Sequence, residues 1–242
     1  QRHTAYDSLQ RPVAVVEQLA GDQPRVSDRF VYAAGEPDFA ARNQCGQLIR
    51  HDHPVGRRRC CEYGVGGLLL TEHTRFLADL EPVDWSVDSA EVRLETEVYQ
   101  TSQHYGPTGD MRRQTDAMRN VRFFLYERGG QLRETRLQLA ESSQDPRLLV
   151  SEISYDALGR SISERAGNGV VTIARYAGDD GRLLQLHSRN AEGESLQDFH
   201  YGYDPVGTII CIQDRAQLTS HFNNQRLDQI CRYEYDSLYQ LI

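Results

Sequence analysis

Cys45, His51, Asp52, His53, Cys60 and Cys61 are of the residue types that ligate zinc. Adjacent cysteines do not readily place both sulfurs on one tetrahedral ion, and no second pair at ligand spacing follows. The expectation is therefore a structural role and no metal. Tyrosine–aspartate pairs recur along the chain, and a phenol beside a carboxylate invites acid/base chemistry. Such catalysis needs one site in which two groups have opposed pKa values. Carboxylates repeated at intervals are instead spread along a chain, which points to turns. No Gly-x-Ser-x-Gly, His-Glu-x-x-His or Gly-x-Gly-x-x-Gly occurs. No catalytic or cofactor-binding residue is expected, and no cofactor. The run Arg57-Arg58-Arg59 predicts a solvated loop. Cys211 and Cys231 fall in apolar, strand-like stretches and read as buried free thiols of undecided register.

Composition narrows the classes further. The 242 residues carry a formal net charge of -8, which disfavours a nucleic-acid groove or an anionic membrane surface. Every basic residue among the 27 is arginine. Without lysine there is no Schiff-base chemistry and no Walker A phosphate loop. No apolar run reaches the roughly 18 residues that would span a bilayer as a helix. The first residues lack a signal peptide's apolar core, there is no initiator methionine, and the chain reads as a piece of a longer polypeptide. Five cysteines at irregular spacing fit synthesis in a reducing cytosol better than a disulfide framework.

The clearest organisation is a repeated unit. Tyr155-Asp156-Ala157-Leu158-Gly159-Arg160, Tyr203-Asp204-Pro205-Val206-Gly207, Tyr235-Asp236-Ser237-Leu238 and Tyr6-Asp7-Ser8-Leu9-Gln10-Arg11 are copies. Tyr126-Glu127-Arg128-Gly129-Gly130 and Tyr176 with Asp180-Gly181-Arg182 are degenerate ones. Copies in the C-terminal half fall roughly 20 to 30 residues apart, a spacing typical of repeat arrays. Physically, the tyrosine closes a strand and its ring covers a neighbour. The aspartate opens a turn by accepting backbone N–H groups, Pro205 pre-sets φ, and Gly159 or Gly207 supplies the exit. Each unit is thus a β-hairpin.

Strands are expected at 148–155, 170–176, 182–187 and 208–212, bounded by turn signals at 167–169 and 190–193. Strands are also expected at 29–32 and 47–50, with a turn at 64–67. Phe76, Leu77 and Leu80 stand at helical spacing and predict a short helix over 72–80, ended by Pro82. The polar stretch 108–120 reads as a long hairpin tip or loop. No linker rich in Pro, Gly or Ser is seen, so 1–242 is expected to be one region, irregular over 1–147 and more regular over 148–242.

These residues resemble a known family. Gly167-Asn168-Gly169-Val170-Val171-Thr172, Leu196-Gln197-Asp198 leading into Tyr201-Gly202-Tyr203-Asp204-Pro205-Val206-Gly207, Phe222-Asn223-Asn224-Gln225 and Tyr235-Asp236-Ser237-Leu238-Tyr239-Gln240-Leu241 are similar, in order and spacing, to segments of the YD-repeat (RHS-repeat) region of the C components of bacterial insecticidal toxin complexes. The resemblance is weaker but collinear at 29–33, 46–51 and 84–85. It implies an all-β fold, antiparallel hairpins in a curved ribbon that is part of a hollow spiral shell. It implies a secreted virulence protein made in the bacterial cytoplasm, whose shell is completed by a B component and encloses the C-terminal toxin of the same polypeptide. The family's self-cleaving domain and toxin lie beyond the stretch matched here, so no enzymatic activity, nucleic-acid binding or membrane insertion is expected. An alternative is a carbohydrate- or cell-surface-binding module that presents its tyrosines to glycans.

Overall fold

The computed structural model describes residues 1–18, 21–217, 220–222, 225–227 and 229–242. They form two compact units, Gln1–Phe123 with Leu139–Ser142, and Phe124–Gln138 with Ser143–Ile242. In the first, strands β1 (Arg2–Tyr6), β2 (Pro12–Glu17), β3 (Arg25–Tyr32), β4 (Leu48–His53), β5 (Gly56–Tyr63), β6 (Leu69–Phe76), β7 (Tyr99–Tyr105), β8 (Met111–Thr115) and the beginning of β9 (Val121–Tyr126) follow one another. Each pairs antiparallel with the next. A single helical turn, α1 (Pro37–Ala40), and a 3-10 helix, Asp88–Arg93, lie in connections.

The second unit repeats the scheme. Strands β10 (Leu132–Gln138), β11 (Arg147–Tyr155), β12 (Ser161–Ala166), β13 (Val171–Tyr176), β14 (Leu183–Arg189), β15 (Ser195–Tyr203) and β16 (Ile209–Asp214) pair in sequence order, all antiparallel. A small hairpin of β17 (Ser220–Phe222) and β18 (Gln225–Leu227) intervenes, and β19 (Ile230–Arg232) then pairs with β16. Of the motif Phe222-Asn223-Asn224-Gln225, Asn223 and Asn224 lie outside the described residues. The expected all-β, antiparallel hairpin fold is what the chain adopts.

Within each unit strands contact their neighbours in order, and no second layer covers the sheet among the described residues. Few side chains are therefore fully buried. Those that are include a cluster of Leu77, Val83, Trp85 and Leu94, joined by Val26. Trp85 is 2% exposed, and its indole N–H donates to the His53 carbonyl at 3.1 Å.

Several expectations are corrected. Residues 72–76 belong to β6, and 77–80 are not helical. Thr71 and Thr74 favour the pleat, and the supposed helical stripe has no common surface to bury against. Leu77 enters the Trp85 cluster, whereas Phe76 and Leu80 are exposed. The polar stretch 108–120 holds β8 between two tight turns. Arg112 and Arg113 are exposed and Gln114 and Thr115 half-buried, on a one-layer sheet where a strand needs no apolar alternation. The run 57–59 lies inside β5, paired on both sides, with Arg57 bonded to Asp52 and Arg58 to Glu72. Cys231 is exposed and Cys211 only half-buried. Cys211 stands opposite Arg232 and Cys231 opposite Ile212, so the two thiols point to opposite faces of the sheet.

Candidate functional site: the tyrosine–aspartate turns

The repeated unit is a hairpin loop with one backbone geometry. In the turns beginning at Asp7, Asp156, Asp204 and Asp236, the fourth residue's N–H donates to the first residue's carbonyl. The first residue's N–H donates to the carbonyl of the fifth. The fourth residue has positive φ: Gln10 60°, Gly159 78°, Gly207 105° and Tyr239 60°. This is a type I turn closed by a left-handed residue, the common three-residue hairpin loop. A register shift accompanies it at Tyr6, Tyr155 and Tyr203. Pro205 occupies the position where a fixed φ suits the turn.

The aspartate carboxylate fastens each loop from inside. Asp156 Oδ1 accepts the N–H groups of Leu158 and Arg160 at 2.9 and 3.0 Å. Asp7 does the same with Leu9 and Arg11, Asp204 with Val206, Gly207 and Thr208, and Asp236 with Leu238 and Gln240. The N–H of Arg160 and then its guanidinium hold the Asp156 carboxyl below the usual carboxylate range. Arg11 acts likewise on Asp7. At Asp204 burial pushes upward, but the N–H groups of Thr208, Gly207 and Val206 outweigh it and the carboxyl ends lower.

The tyrosine ties each strand to the one before it. The hydroxyls of Tyr155, Tyr203 and Tyr235 donate to the carbonyls of Leu132, Leu183 and Ile209, which begin the preceding or adjacent strand, at 2.8, 2.8 and 2.9 Å. Tyr63 and Tyr176 do the same to Leu48 and Ser161. Each such bond contributes about 0.5–1.5 kcal/mol net. Tyr6 closes β1, the first strand described, and is 58% exposed. Tyr126 closes β9, and Glu127 takes the aspartate's place, with Gly130 at φ 83°.

An arginine directly after the left-handed residue links one turn to the next on the same edge. Arg160 holds Asp156, lies 4.2 Å over the Tyr176 ring and donates to the Gly181 carbonyl at 2.7 Å. Arg182 lies 5.6 Å over Tyr203 and donates to the carbonyls of Asp204 and Pro205. Arg11 lies over Tyr32 and reaches the Gly46 carbonyl. A cation over an aromatic face adds about 0.5–1 kcal/mol at an exposed position. Sequence reasoning placed Arg160 in the motif but missed this bridging. The recurrence of an arginine directly after the left-handed residue, at Gln10-Arg11, Gly159-Arg160 and Gly181-Arg182, was the available signal.

Turns of the same backbone form at Gly64, Gly106, Asp116, Ala166 and Asn190 without the tyrosine–aspartate pair. Of these, Gly106–Gly109 follows Tyr105, and Asp116 uses its carboxylate on Asn120, yet neither was read as a unit. The zinc candidates do not converge: among the described residues no group of three or more His, Cys, Asp or Glu side chains is placed to hold a metal. His51 instead stacks on Phe30 and meets Asp28 at 3.0 Å, and Asp52 is buried against Arg57.

No family profile matches the chain. Toxin subunit YenC2 of Yersinia entomophaga is 30% identical over 244 residues, covering 96% of this chain and 25% of YenC2. A chain of the TcdB2–TccC3 crystal structure superposes on all of this chain with a TM-score of 0.79 and 31% identity, over 12% of its own length. The chain is a homologue of toxin-complex C subunits. YenC1 of the same Yersinia is 29% identical over 248 residues, 98% of this chain and 25% of its own. A chain of the Tc holotoxin pore of Photorhabdus luminescens gives a TM-score of 0.78 at 31% identity, over 11% of its length. The present chain thus spans about a quarter of these curated toxin-complex subunits. The stretch they share is antiparallel β, and no helix described here is long and apolar enough to cross a membrane.

Proposed function

We propose that this stretch is wall. In this reading it forms part of an encapsulating shell in the C component of a secreted toxin complex. A B component completes the shell, and the enclosed cargo is the C-terminal toxin segment of the same polypeptide. The observation that carries the reading is the lateral ladder of Arg160, Tyr176, Arg182 and Tyr203 along the turn edge. A sheet fastened edge to edge by side chains that return to backbone carbonyls extends sideways without a second layer. That is what a thin wall requires and what a compact binding domain does not. The motif tyrosines support wall rather than glycan capture, because their hydroxyls are committed to carbonyls. Their aspartates are committed to turns, so the repeated tyrosine–aspartate pairs do not read as acid/base sites.

The test is a chimera. The matching quarter of YenC2 is replaced by this chain, and the product is co-expressed with its B-type partner. Assembly into a complex of the parental size supports the reading. A folded chimera that never associates with the partner overturns it.

A further inference from the structure

One face of the first unit carries cations in register. The pairing of β3 to β6 sets Val31, Arg50, Arg59 and His73 in one cross-strand row. Two residues along, Arg29, Asp52, Arg57 and Arg75 form the next row on the same face. Like charges directly opposite one another destabilise a ladder. Only part of this charge is compensated. Asp52, 1% exposed, pairs with Arg57 and Arg50, and Glu91 pairs with Arg57 and Arg75. Arg59 is exposed, and no carboxylate lies at ion-pair distance from it among the described residues. Arg50 Nε lies 3.2 Å from Asp52 but makes no hydrogen bond. Burial lowers the pKa of Arg50; Asp52 opposes this, while Arg57, Arg29 and Arg59 add to it.

Two cavities, of about 380 and 320 Å³, open on this face and share Arg59 and His73. The smaller one reaches Gln44, which is 4% exposed. Its amide nitrogen donates to the carbonyls of Cys60 and Cys61 at 2.7 and 3.0 Å. Its Oε1 is buried without a donor. Val31, Phe39 and Ile49 give the same cavity an apolar wall.

An occupant must bring acceptors for the guanidiniums and an apolar group for the wall. We propose that this face binds an extended acidic peptide in which carboxylates alternate with apolar residues. Side chains two apart on an extended peptide stand roughly 6.6–6.8 Å from one another, within reach of long arginines on strands about 4.8 Å apart. The alternating apolar side chains supply what the wall of Val31, Phe39 and Ile49 takes up and a phosphodiester backbone lacks. The face is basic in a chain of net charge -8, so its charge is complementary to an acidic segment rather than shared with the rest of the surface.

Fluorescence anisotropy with the full chain and a labelled acetyl-Glu-Leu-Glu-Leu-Glu peptide tests the site. Binding is expected at low ionic strength and weakens as salt is added. Arg59→Gln, at an exposed position without an ion-pair partner among the described residues, weakens it by roughly tenfold or more, the loss of a charge-assisted hydrogen bond. Arg128→Gln in the second unit leaves it unchanged, and the Gln-Leu-Gln-Leu-Gln peptide does not bind. Equal affinity of wild type and Arg59→Gln overturns the site. So does an equal loss in Arg128→Gln. An oligothymidylate of similar charge that binds as tightly as the glutamate peptide overturns the peptide assignment.

Discussion

At the scale of single residues, the repeated unit divides its labour. Asp156 shapes the loop, Tyr155 reaches back to the neighbouring strand, and Arg160 reaches forward to the next turn. The tyrosine's share is measurable. Tyr203→Phe removes the bond to Leu183 and is expected to cost about 1 kcal/mol in urea unfolding. Tyr6→Phe, with a largely exposed ring, should change stability by less than about 0.5 kcal/mol. Equal effects would show that the hydroxyl bond contributes nothing. The aspartates predict acid sensitivity. Asp7, Asp156 and Asp204 are held below the ordinary aspartate range in the fold, by N–H donors and, at Asp7 and Asp156, by arginine. The unfolded chain therefore binds protons first as pH falls. Their stabilisation is complete above an unfolded value of about 3.9 and is lost as pH drops through the lower folded values. Urea midpoints measured from neutral pH to below pH 4 should fall at the acid end, and Asp156→Asn should flatten that slope. An unchanged slope in the variant would remove Asp156 from the account.

At the scale of elements, the turns were legible and some strands were not. Aspartate followed by glycine at a fixed offset announces the loops at 156–159 and 204–207, because only a few residue types suit the left-handed fourth position. Gln10, Arg119 and Tyr239 hold that position without being glycine; the tyrosine–aspartate pair still marked the turns at Asp7 and Asp236, but nothing marked the one at Asp116. Strand β8 was hidden because Met111-Arg112-Arg113-Gln114-Thr115 lacks apolar alternation, a pattern that a sheet open on both faces does not impose. The false helix over 72–80 came from a triplet whose members go to different places, Leu77 inward and Phe76 and Leu80 to solvent. The basic face was missed because Arg50, Arg59 and His73 are distant in sequence and only strand register aligns them. Close approach between strands also escapes the sequence. A Cβ on Gly167 would lie 1.9 Å from the Leu148 carbonyl oxygen, whereas one on Gly193, at φ 89°, would meet nothing within 4 Å. Gly193→Ala should cost roughly 1–2 kcal/mol of backbone strain. Gly167→Ala should cost more, because β11 and β12 must part, and hydrogen exchange should quicken at the amides between them. Matching losses in the two variants would contradict that.

At the scale of the molecule, the chain matches about a quarter of the toxin-complex C subunits it resembles, and the quarter it matches is sheet. Its stabilising contacts run sideways, from strand to strand and from turn to turn, and among the described residues the Trp85 cluster alone gathers apolar side chains into a local core. A structure of this kind gains little by being thick and much by being long. That is the reason to read it as wall rather than as a site. The most direct measurement is protease protection in the YenC2 chimera that carries this chain, assembled with its B-type partner. Trypsin is added and survival of the C-terminal segment is followed over time. The account predicts that the segment survives in the assembled chimera as long as in parental YenC2, and is digested once the partner is omitted. Digestion at the same rate with and without the partner, while the parental complex protects its segment, would contradict it.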